Sequence, residues 1–410
     1  MLLLVGALAA SAQAGEEIIL RQALTGKAHG VLATLVQRFN DEQKGRARVL
    51  LQDLRTVEVA DRRQPPQLAL LDSDDSIEFF GTRPRFKPLH QVMSESGERL
   101  DARQFFPLLA DAVDDPLGRL QALPLGLSLP VLMWNKEDFR KAGLDPENPP
   151  KTWWEVQARA ASLFDAGVQC PFTSSRFARV HLENLSSQHG EAIAVREKNG
   201  ATRVALNQLV DVKHIALLAS WYKSSYFRYF GAGAESDQKF IAGECAMFTG
   251  ESALYAEALR GGFGVGVAEL PYYDDVRGAT PHKVLPDGAA LWVLAGHKKH
   301  EYKLAARFVS FMLRPKIQQE WVQATAYLPM MPGALKAFQD TGVAPAFLEA
   351  ATRRLVERKS ATTRTRHGSG LNRARDILDQ EIAAVWADAK PAKEALDSAM
   401  NRINGPKGRH

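Results

Sequence analysis

The stretch PVLMWNK at residues 130–136 and the stretch AGLDPENPPKTW at residues 142–153 decide the fold class. The first is an apolar run, which predicts a strand that leads into a short helix. The second is a proline-stiffened loop. Thr152 near its end and Glu155 just beyond it predict a capping box that starts a helix over 153–164. Strand and helix therefore alternate within one short part of the chain.

The same alternation extends towards both ends of the sequence. Residues 18–20 are strand-like, and residues 29–43 place apolar side chains on one helical face. Residues 67–71 form an apolar run that stops at the polar residues 72–75, as a buried parallel strand does. The remaining elements are expected as strands at 170–172, 245–248 and 263–270, and as helices at 213–223, 302–313 and 376–386. This order predicts an α/β fold.

The composition is that of an ordinary protein with two domains. A chain of 410 residues that is 45% hydrophobic can form two cores, because single cores stop growing at roughly 250–300 residues. The charges are mixed, with 52 basic and 47 acidic side chains, which argues against a nucleic-acid partner. The net charge of +5 is a mild indication of anion affinity.

Residues 1–14, MLLLVGALAASAQA, form a short apolar run that ends in the small-x-small pattern Ala12-Gln13-Ala14. This pattern predicts a signal peptide and export to the periplasm, although a cationic start is missing and a buried strand is the alternative. No other stretch has the roughly 18–20 uninterrupted apolar residues of a membrane-spanning helix. We therefore expect a soluble protein after cleavage.

The sequence contains two cysteines, Cys170 and Cys245. Their spacing fits neither a metal site nor a CxxC redox motif. They can form a disulfide in an oxidising compartment, or remain as two buried thiols. The sequence leaves both alternatives open.

Short patterns that suggest an enzyme do not have the surroundings that catalysis requires. The glycines within residues 261–266 precede a strand and not a helix, so they do not form a dinucleotide site. His181 and Glu183 do not form a metal-binding HExxH motif, and neither a GxSxG elbow nor a P-loop occurs. We expect a protein that is not an enzyme and that uses no cofactor and no metal.

Further short blocks accompany the two opening stretches, at residues 37–40, 182–184, 243–247, 290–293 and 327–329. In their order and spacing, these blocks resemble the extracytoplasmic solute-binding proteins of carbohydrate-type ABC importers, above all the branch that binds sn-glycerol-3-phosphate. The resemblance implies a two-lobed periplasmic-binding-protein fold of type II, in which each lobe is a sheet flanked by helices. The ligand then lies in the cleft between the lobes, which close over it by hinge motion.

The resemblance also implies a division of the chain and a function. Lobe one is expected to comprise residues 15–125 plus 272–325, and lobe two residues 126–271 plus 326–402, with a tail at 403–410. The expected function is capture of a small anionic ligand, such as glycerol-3-phosphate or a related phosphodiester or sugar phosphate, by a monomeric component of an ABC importer. Its partners are then the permease membrane subunits with their ATPase.

Five positions of the chain match ligand contacts of that branch. They are Ser128, Ser252, Gly288, Tyr327 and Arg366. Hydroxyl and backbone donors give directional hydrogen bonds to a phosphate or carboxylate, and an arginine adds a bidentate, charge-assisted pair. The resemblance therefore implies an anion site with Arg366 as its anchor.

The chain departs from the branch at several ligand positions. Two pocket tryptophans of the branch correspond here to Arg176 and Arg179, and a further aromatic residue near the first strand corresponds to Arg21. The acidic contact of the branch falls in the segment that contains Asp72 and Asp74. Extra guanidinium groups favour a ligand with more negative charge than a monoester, such as a diester, a bisphosphate or a phosphorylated sugar. Arginines in a solvent-exposed loop are the alternative.

Two other functions are compatible with the sequence. The same fold can serve as a receptor that hands its ligand-bound form to a membrane kinase or chemoreceptor. An extracytoplasmic hydrolase is the other alternative, because a carboxylate pair assembled by the fold leaves no local motif.

Overall fold

The computed structural model describes residues 16–24, 26–54, 65–71, 85–106, 113, 115, 117–198, 202–276, 278–279, 284–339 and 371–405. The predicted signal peptide at 1–14 and the predicted site residues Asp72, Asp74 and Arg366 lie outside these ranges. In the part of the chain that the structure describes, no helix combines the length and the apolar character needed to cross a membrane.

Strands and helices alternate along most of the described chain. The strands are β1 Glu16–Gln22, β2 Ala47–Asp53, β3 Leu68–Leu71, β4 Leu123–Ser128, β5 Pro130–Asn135, β6 Phe172–Ser174, β7 Ala194–Arg196, β8 Thr202–Val204, β9 Phe227–Arg228, β10 Met247–Glu251, β11 Val265–Glu269 and β12 Asp287–Val293. The α-helices are α1 Gly26–Glu42, α2 Leu89–Ser96, α3 Lys136–Lys141, α4 Trp153–Asp165, α5 Leu185–Gln188, α6 Leu209–Lys223, α7 Glu235–Ile241, α8 Tyr255–Ala258, α9 Lys299–Met312, α10 Pro315–Thr325, α11 Pro332–Gln339, α12 Leu371–Trp386 and α13 Ala392–Asn404. A π-helix covers Arg179–Asn184. Most elements that the sequence predicts lie close to these bounds, but the strands predicted at 170–172 and 245–248 begin two residues later, at Phe172 and Met247.

The first sheet has the strand order β2-β1-β3-β12-β4. Strand β1 is parallel to both β2 and β3, whereas β12 is antiparallel to both β3 and β4. All four residues of β3 are fully buried, because strands cover both of its edges and other elements cover both of its faces. Helix α1 packs on this sheet through its apolar side, where the Phe39 ring lies 5.2 Å from that of Phe308 on α9.

The second sheet has the order β11-β5-β10-β6-β9. Strand β5 lies between β10 and β11 and is antiparallel to both. Side chains alternate between its faces, so that Leu132 and Trp134 belong to one core, and Val131 and Met133 to the core on the other side. The predicted capping box of Thr152 and Glu155 is present and starts helix α4 beside this sheet.

Chain segments that run from one sheet to the other meet at the end of β4. Strand β4 continues through Leu129 into β5, and residues 270–286 connect β11 with β12. The backbone amide of Leu328 donates to the carbonyl of Leu127 at 2.8 Å, which brings the segment after α10 to the same point. These crossings form the hinge between the two sheets.

Tyr272 and Tyr273 lie against the second core, although the predicted range 272–325 places them in lobe one. The amide of Trp153 donates to the Tyr272 carbonyl at 3.1 Å, and the buried Tyr273 hydroxyl lies 2.8 Å from Nδ1 of His214. Pairing with the first sheet begins at Asp287. The physical reason is the aromatic side chain of Tyr273, which is fully buried in the second core beside helix α6.

Cys170 and Cys245 form a disulfide that closes a sequence separation of 75 residues. The bond joins the chain just before β6 to the chain just before β10, and both residues are buried. The structure therefore selects the disulfide from the two alternatives that the sequence leaves open.

Candidate ligand-binding site at the hinge

Two of the predicted ligand residues, Ser128 and Ser252, meet at the hinge. Their hydroxyl oxygens lie 3.1 Å apart, and both side chains are buried. The amide of Leu129 donates to the Ser252 hydroxyl at 3.1 Å, and the amide of Ala253 donates to the Ser128 hydroxyl at 3.2 Å. Ser128 is the last residue of β4, an edge strand of the first sheet, and Ser252 directly follows β10 of the second sheet. This serine pair therefore joins the two lobes.

Gly288 lies beside this pair in β12, opposite Leu127 of β4. Its φ of +130° is in the region that favours glycine, and a Cβ atom there would overlap the carbonyl oxygen of Gly126. The glycine is therefore needed for the close approach of two strands at the hinge. Its predicted ligand contact stays a prediction.

Tyr327, in the segment after α10, also lies at the hinge. Its ring stacks on that of Trp321 at a centroid distance of 5.8 Å, and it lies against the backbone of Gly126. Trp321 is itself fixed by a hydrogen bond of 2.7 Å from its Nε1 to the Leu125 carbonyl. The structure thus brings four of the predicted ligand residues to one location, namely Ser128, Ser252, Gly288 and Tyr327.

Arg179 is not in an exposed loop, because it is the first residue of the π-helix and is 5% exposed. Its Nε atom lies 3.2 Å from the carboxylate of Glu251 and 3.1 Å from that of Asp287. Its Nη2 atom also donates to the Pro286 carbonyl at 2.8 Å. Two carboxylates therefore pair with this guanidinium, so few of its N–H groups are available to a ligand.

Arg176, the other arginine in place of a tryptophan, precedes the π-helix. It has a left-handed backbone with φ of 48°, which is uncommon for a residue with a side chain, and its amide donates to the Gly233 carbonyl at 2.6 Å. Burial raises the pKa values of Glu251 and Asp237, and the charge of Arg176 opposes this rise. Arg176 is therefore part of the electrostatics of this site.

The carboxyl groups at the hinge are held in an unusual environment. Burial raises the pKa of Glu251, with a contribution from Asp287, while Arg179 and Arg176 act in the opposite direction. Burial also raises the pKa of Asp237 to about 6, against a hydrogen bond from Ser175. The site therefore carries acidic groups beside its arginines, which reduces the positive charge that the sequence alone suggests.

Arg21 lies in β1 of the first sheet, near the carboxyl end of the strand. It is half-buried, and its Nε donates to Oε1 of Gln52 on the neighbouring strand at 3.2 Å. The parallel strand β3 ends at Leu71 on the same edge of the sheet. Arg21 is thus placed where the carboxyl ends of parallel strands meet, which is where open α/β sheets bind ligands.

The histidines near the predicted site take part in a buried hydrogen-bond chain. Nδ1 of His181 lies 2.8 Å from Nε2 of His214, whose Nδ1 lies 2.8 Å from the Tyr273 hydroxyl. Burial lowers the pKa of His181 to about 3, so the ring is neutral. Among the described residues, no cluster of His, Cys, Asp and Glu could hold a metal ion.

Glu251 and Asp287 are not among the ligand residues that the sequence predicts. Each directly precedes a predicted ligand residue, Ser252 and Gly288 respectively. This adjacency is the signal in the sequence for a role at the site, because a buried carboxylate beside a predicted anion contact requires a cationic partner.

The sequence matches the family of bacterial extracellular solute-binding proteins over residues 50–351. The sn-glycerol-3-phosphate-binding periplasmic protein UgpB of Yersinia pestis bv. Antiqua is 37% identical over 328 residues, which cover 77% of this chain and 74% of that protein. The protein of the same name from Salmonella typhimurium is 36% identical over 326 residues, with 78% and 74% covered.

Solved structures show the same fold at low sequence identity. UgpB from Mycobacterium tuberculosis in complex with glycerophosphocholine has a TM-score of 0.76 and 17% identity, covering 95% of this chain and 98% of that one. Maltose-bound MalE3 of T. maritima has a TM-score of 0.75 and 16% identity, covering 95% and 99%. The predicted two-lobed α/β fold of type II is thereby confirmed. From the matched residues and the relatives together, the chain belongs to the family of bacterial extracellular solute-binding proteins.

Proposed function

We propose that this protein captures a small anionic, phosphorylated ligand at the hinge, such as glycerol-3-phosphate or a related phosphodiester or sugar phosphate. Family membership gives the coarse function, which is that of the solute-binding component of an ABC importer. The observation that carries the finer proposal is the convergence of Ser128, Ser252, Gly288 and Tyr327 at one crossing point. The relatives from Yersinia pestis and Salmonella typhimurium support it, since both are sn-glycerol-3-phosphate-binding proteins.

The serine pair supplies donors of the kind that an anion requires. One of the two hydroxyls donates to the other, and the hydrogen of each can turn towards a phosphate oxygen because a hydroxyl rotates freely about its C–O bond. The amides of Leu129 and Ala253 keep both oxygens in place while this happens. Hydrogen bonds to a charged group contribute roughly 1.5–3 kcal/mol each, so two such donors account for a substantial part of a micromolar affinity.

The charges at the hinge favour an ester with few negative charges. Arg179 is neutralised by Glu251 and Asp287, so the cationic contacts proposed for the ligand reduce to Arg176, Arg21 and the predicted anchor Arg366. A monoester or a diester suits this arrangement better than a bisphosphate, because each additional unpaired charge costs desolvation energy in the cleft. The proposed acidic contact in the segment of Asp72 and Asp74 would accept hydrogen bonds from ligand hydroxyl groups.

We further propose that the protein is monomeric, acts in the periplasm and delivers its ligand to permease membrane subunits with their ATPase. The periplasmic names of the relatives support this location. The mixed surface charge, with 52 basic and 47 acidic side chains, gives no reason to include a nucleic acid among the partners.

Isothermal titration calorimetry with four ligands tests the proposal. The protein is titrated with glycerol-3-phosphate, glycerophosphocholine, inorganic phosphate and maltose. We expect micromolar or tighter binding of at least one phosphate ester, with maltose as the neutral control. Binding of maltose without binding of any phosphate ester would overturn the proposal. Phosphorus NMR of the mixture, in which the ester should stay intact, separates a binding protein from a hydrolase.

A further inference from the structure

A closed arrangement of five residues connects the two lobes at the hinge. It consists of Ser128, Arg179, Glu251, Ser252 and Asp287, which together are termed the hinge cluster. Arg179 forms ion pairs with Glu251 and Asp287 at 3.2 and 3.1 Å. Asp287 is the strand partner of Ser128, and Ser128 in turn meets Ser252, which follows Glu251 in the chain. Each member is therefore held by two others.

Arg179 also fixes residues 284–286, which lead into β12 and are termed the crossing segment. Its Nη2 atom donates to the carbonyls of Pro286 and Leu285 at 2.8 and 3.5 Å. Asn184, one turn further along the π-helix, accepts from the Leu285 amide at 2.7 Å and donates to the Arg179 carbonyl at 2.9 Å. The π-helix thus holds this segment through two side chains, Arg179 and Asn184, which bond to the main-chain groups of Leu285 and Pro286.

The π-helix is itself anchored on its other side. Glu183 is buried and accepts two hydrogen bonds from Arg375 of α12, at 2.6 and 2.9 Å. All residues from Arg179 to Asn184 are buried. Because both flanks are fixed, the guanidinium of Arg179 has a defined position relative to the crossing segment. A π-helix places side chains differently from an α-helix and often marks a functional site.

We propose that Arg179 is a positioning residue for ligand binding, which sets the register of the crossing segment and so the geometry of the Ser128–Ser252 pair. It acts through Glu251 and Asp287 and does not touch the ligand. This inference rests on the proposed function, in which the serine pair contacts an anion. A buried ion pair contributes little net stability but imposes a specific geometry, which is the property that a hinge requires.

Substitution of Asp287 distinguishes positioning from direct contact, because the two roles predict opposite signs. If Arg179 touched an anionic ligand, Asp287→Ala would remove a competing carboxylate and strengthen binding. If Arg179 positions the hinge, Asp287→Ala breaks the hinge cluster and weakens binding. Asp275→Ala is the matched control, since Asp275 lies in the same connecting segment but pairs with Lys213 at the surface.

The experiment uses the full chain with glycerol-3-phosphate as the probe. We expect at least tenfold weaker binding by calorimetry for Asp287→Ala and for Arg179→Lys, and unchanged binding for Asp275→Ala. Lysine keeps the charge but cannot serve two carboxylates and two carbonyls at once, so Arg179→Lys should loosen the hinge cluster, while the sign of the change in Asp287→Ala separates positioning from direct contact. Equal or tighter binding of Asp287→Ala would overturn the inference.

Hydrogen exchange of the ligand-free protein gives a second readout that does not depend on the probe. Peptides covering residues 123–135 and 284–293 should exchange faster in Asp287→Ala and Arg179→Lys than in the wild type, while peptides from α9 stay unchanged. Unaltered exchange in both hinge peptides would contradict the inference even where thermal melts show that the variants fold. Wild-type protein that fails to bind any phosphate ester refutes the proposed function, whereas the exchange result still decides whether Arg179 fixes the hinge.

Discussion

Gly288 packs so closely against Gly126 that a Cβ atom on Gly288 would overlap the Gly126 carbonyl oxygen. Neither strand can move away freely, because Asp287 and Gly288 pair with Ser128 and Leu127 across the same ladder. The contact between two glycines therefore fixes the separation of β4 and β12 at the hinge.

We expect Gly288→Ala to lower the free energy of unfolding by about 3 kcal/mol, because the methyl group forces the two strands apart and φ of +130° strains a residue with a side chain. Urea unfolding followed by circular dichroism measures the change. Gly333→Ala is the control, since Gly333 lies in α11 with open space around it and alanine favours a helix. Equal stability of Gly288→Ala and wild type would show that the strands can separate at no cost.

The serine pair should contribute to ligand affinity more than to stability. We expect Ser252→Ala to weaken binding of glycerol-3-phosphate roughly 10–100-fold, as the loss of a hydrogen bond to a charged group does. The loss of the bond from the Leu129 amide should lower stability by only about 1 kcal/mol. Calorimetry and thermal melts separate the two effects. Ser162→Ala, which removes an exposed hydroxyl from α4, is the control and should change neither. An affinity that survives Ser252→Ala would exclude this serine from the site.

The disulfide should stabilise the second lobe. Closing a sequence separation of 75 residues reduces the entropy of the unfolded chain, which corresponds to about 4 kcal/mol in the chain-entropy model. We expect the double substitution of Cys170 and Cys245 by alanine to shift the urea midpoint downwards, and dithiothreitol to shift that of the wild type in the same direction. The double variant should not respond to dithiothreitol. A wild-type midpoint that is the same with and without the reductant, once mass spectrometry has verified reduction, would contradict the expected contribution.

Asp211 should make stability fall as the pH rises. Burial raises its pKa to about 7 from 3.8, although it accepts hydrogen bonds from the Ser186 hydroxyl and the Gln208 amide. Between these two values the folded state keeps a proton that the unfolded state has released. The stability that protonated Asp211 contributes is therefore fully present below pH 3.8. It decreases as the pH rises from 3.8 and is lost above about 7.

Asp211→Asn removes this titration and leaves the other groups unchanged. We expect the stability of the variant relative to wild type to increase by up to about 4 kcal/mol between pH 4 and pH 7, at roughly 1.4 kcal/mol per pH unit. Urea unfolding at a series of pH values gives both curves. Asp275→Asn is an exposed control, which should follow the wild-type curve over this range. Parallel curves for Asp211→Asn and wild type would show that Asp211 ionises normally in the folded protein.

The local elements of the fold can be predicted from the sequence because each is encoded by neighbouring residues. The apolar run at 67–71 predicts β3, since a strand buried on both faces needs apolar side chains at every position. The capping box of Thr152 and Glu155 predicts the start of α4 by a contact between residues three positions apart. The order of the strands in each sheet depends on pairing between distant segments, and no local pattern indicates it.

The candidate site is predictable only in part for the same reason. The resemblance to a known branch identifies Ser128 and Ser252, and the structure brings them together. The partners of Arg179 cannot be read from the sequence, because Glu251 and Asp287 come from two other segments of the chain. An arginine that replaces an aromatic residue therefore indicates a change in charge, but the fold decides whether that charge is available to a ligand.

The helices α12 and α13 complete a core that begins far earlier in the chain. Ile382 and Leu396 are fully buried in the same cluster as Trp153 and Trp221. Because a ribosome makes the chain from its amino terminus, the apolar surface around these tryptophans exists before residues 371–404 are available to cover it. The second lobe must therefore stay unfinished during synthesis, and a chaperone that shields this surface would protect the chain from aggregation until its last helices emerge.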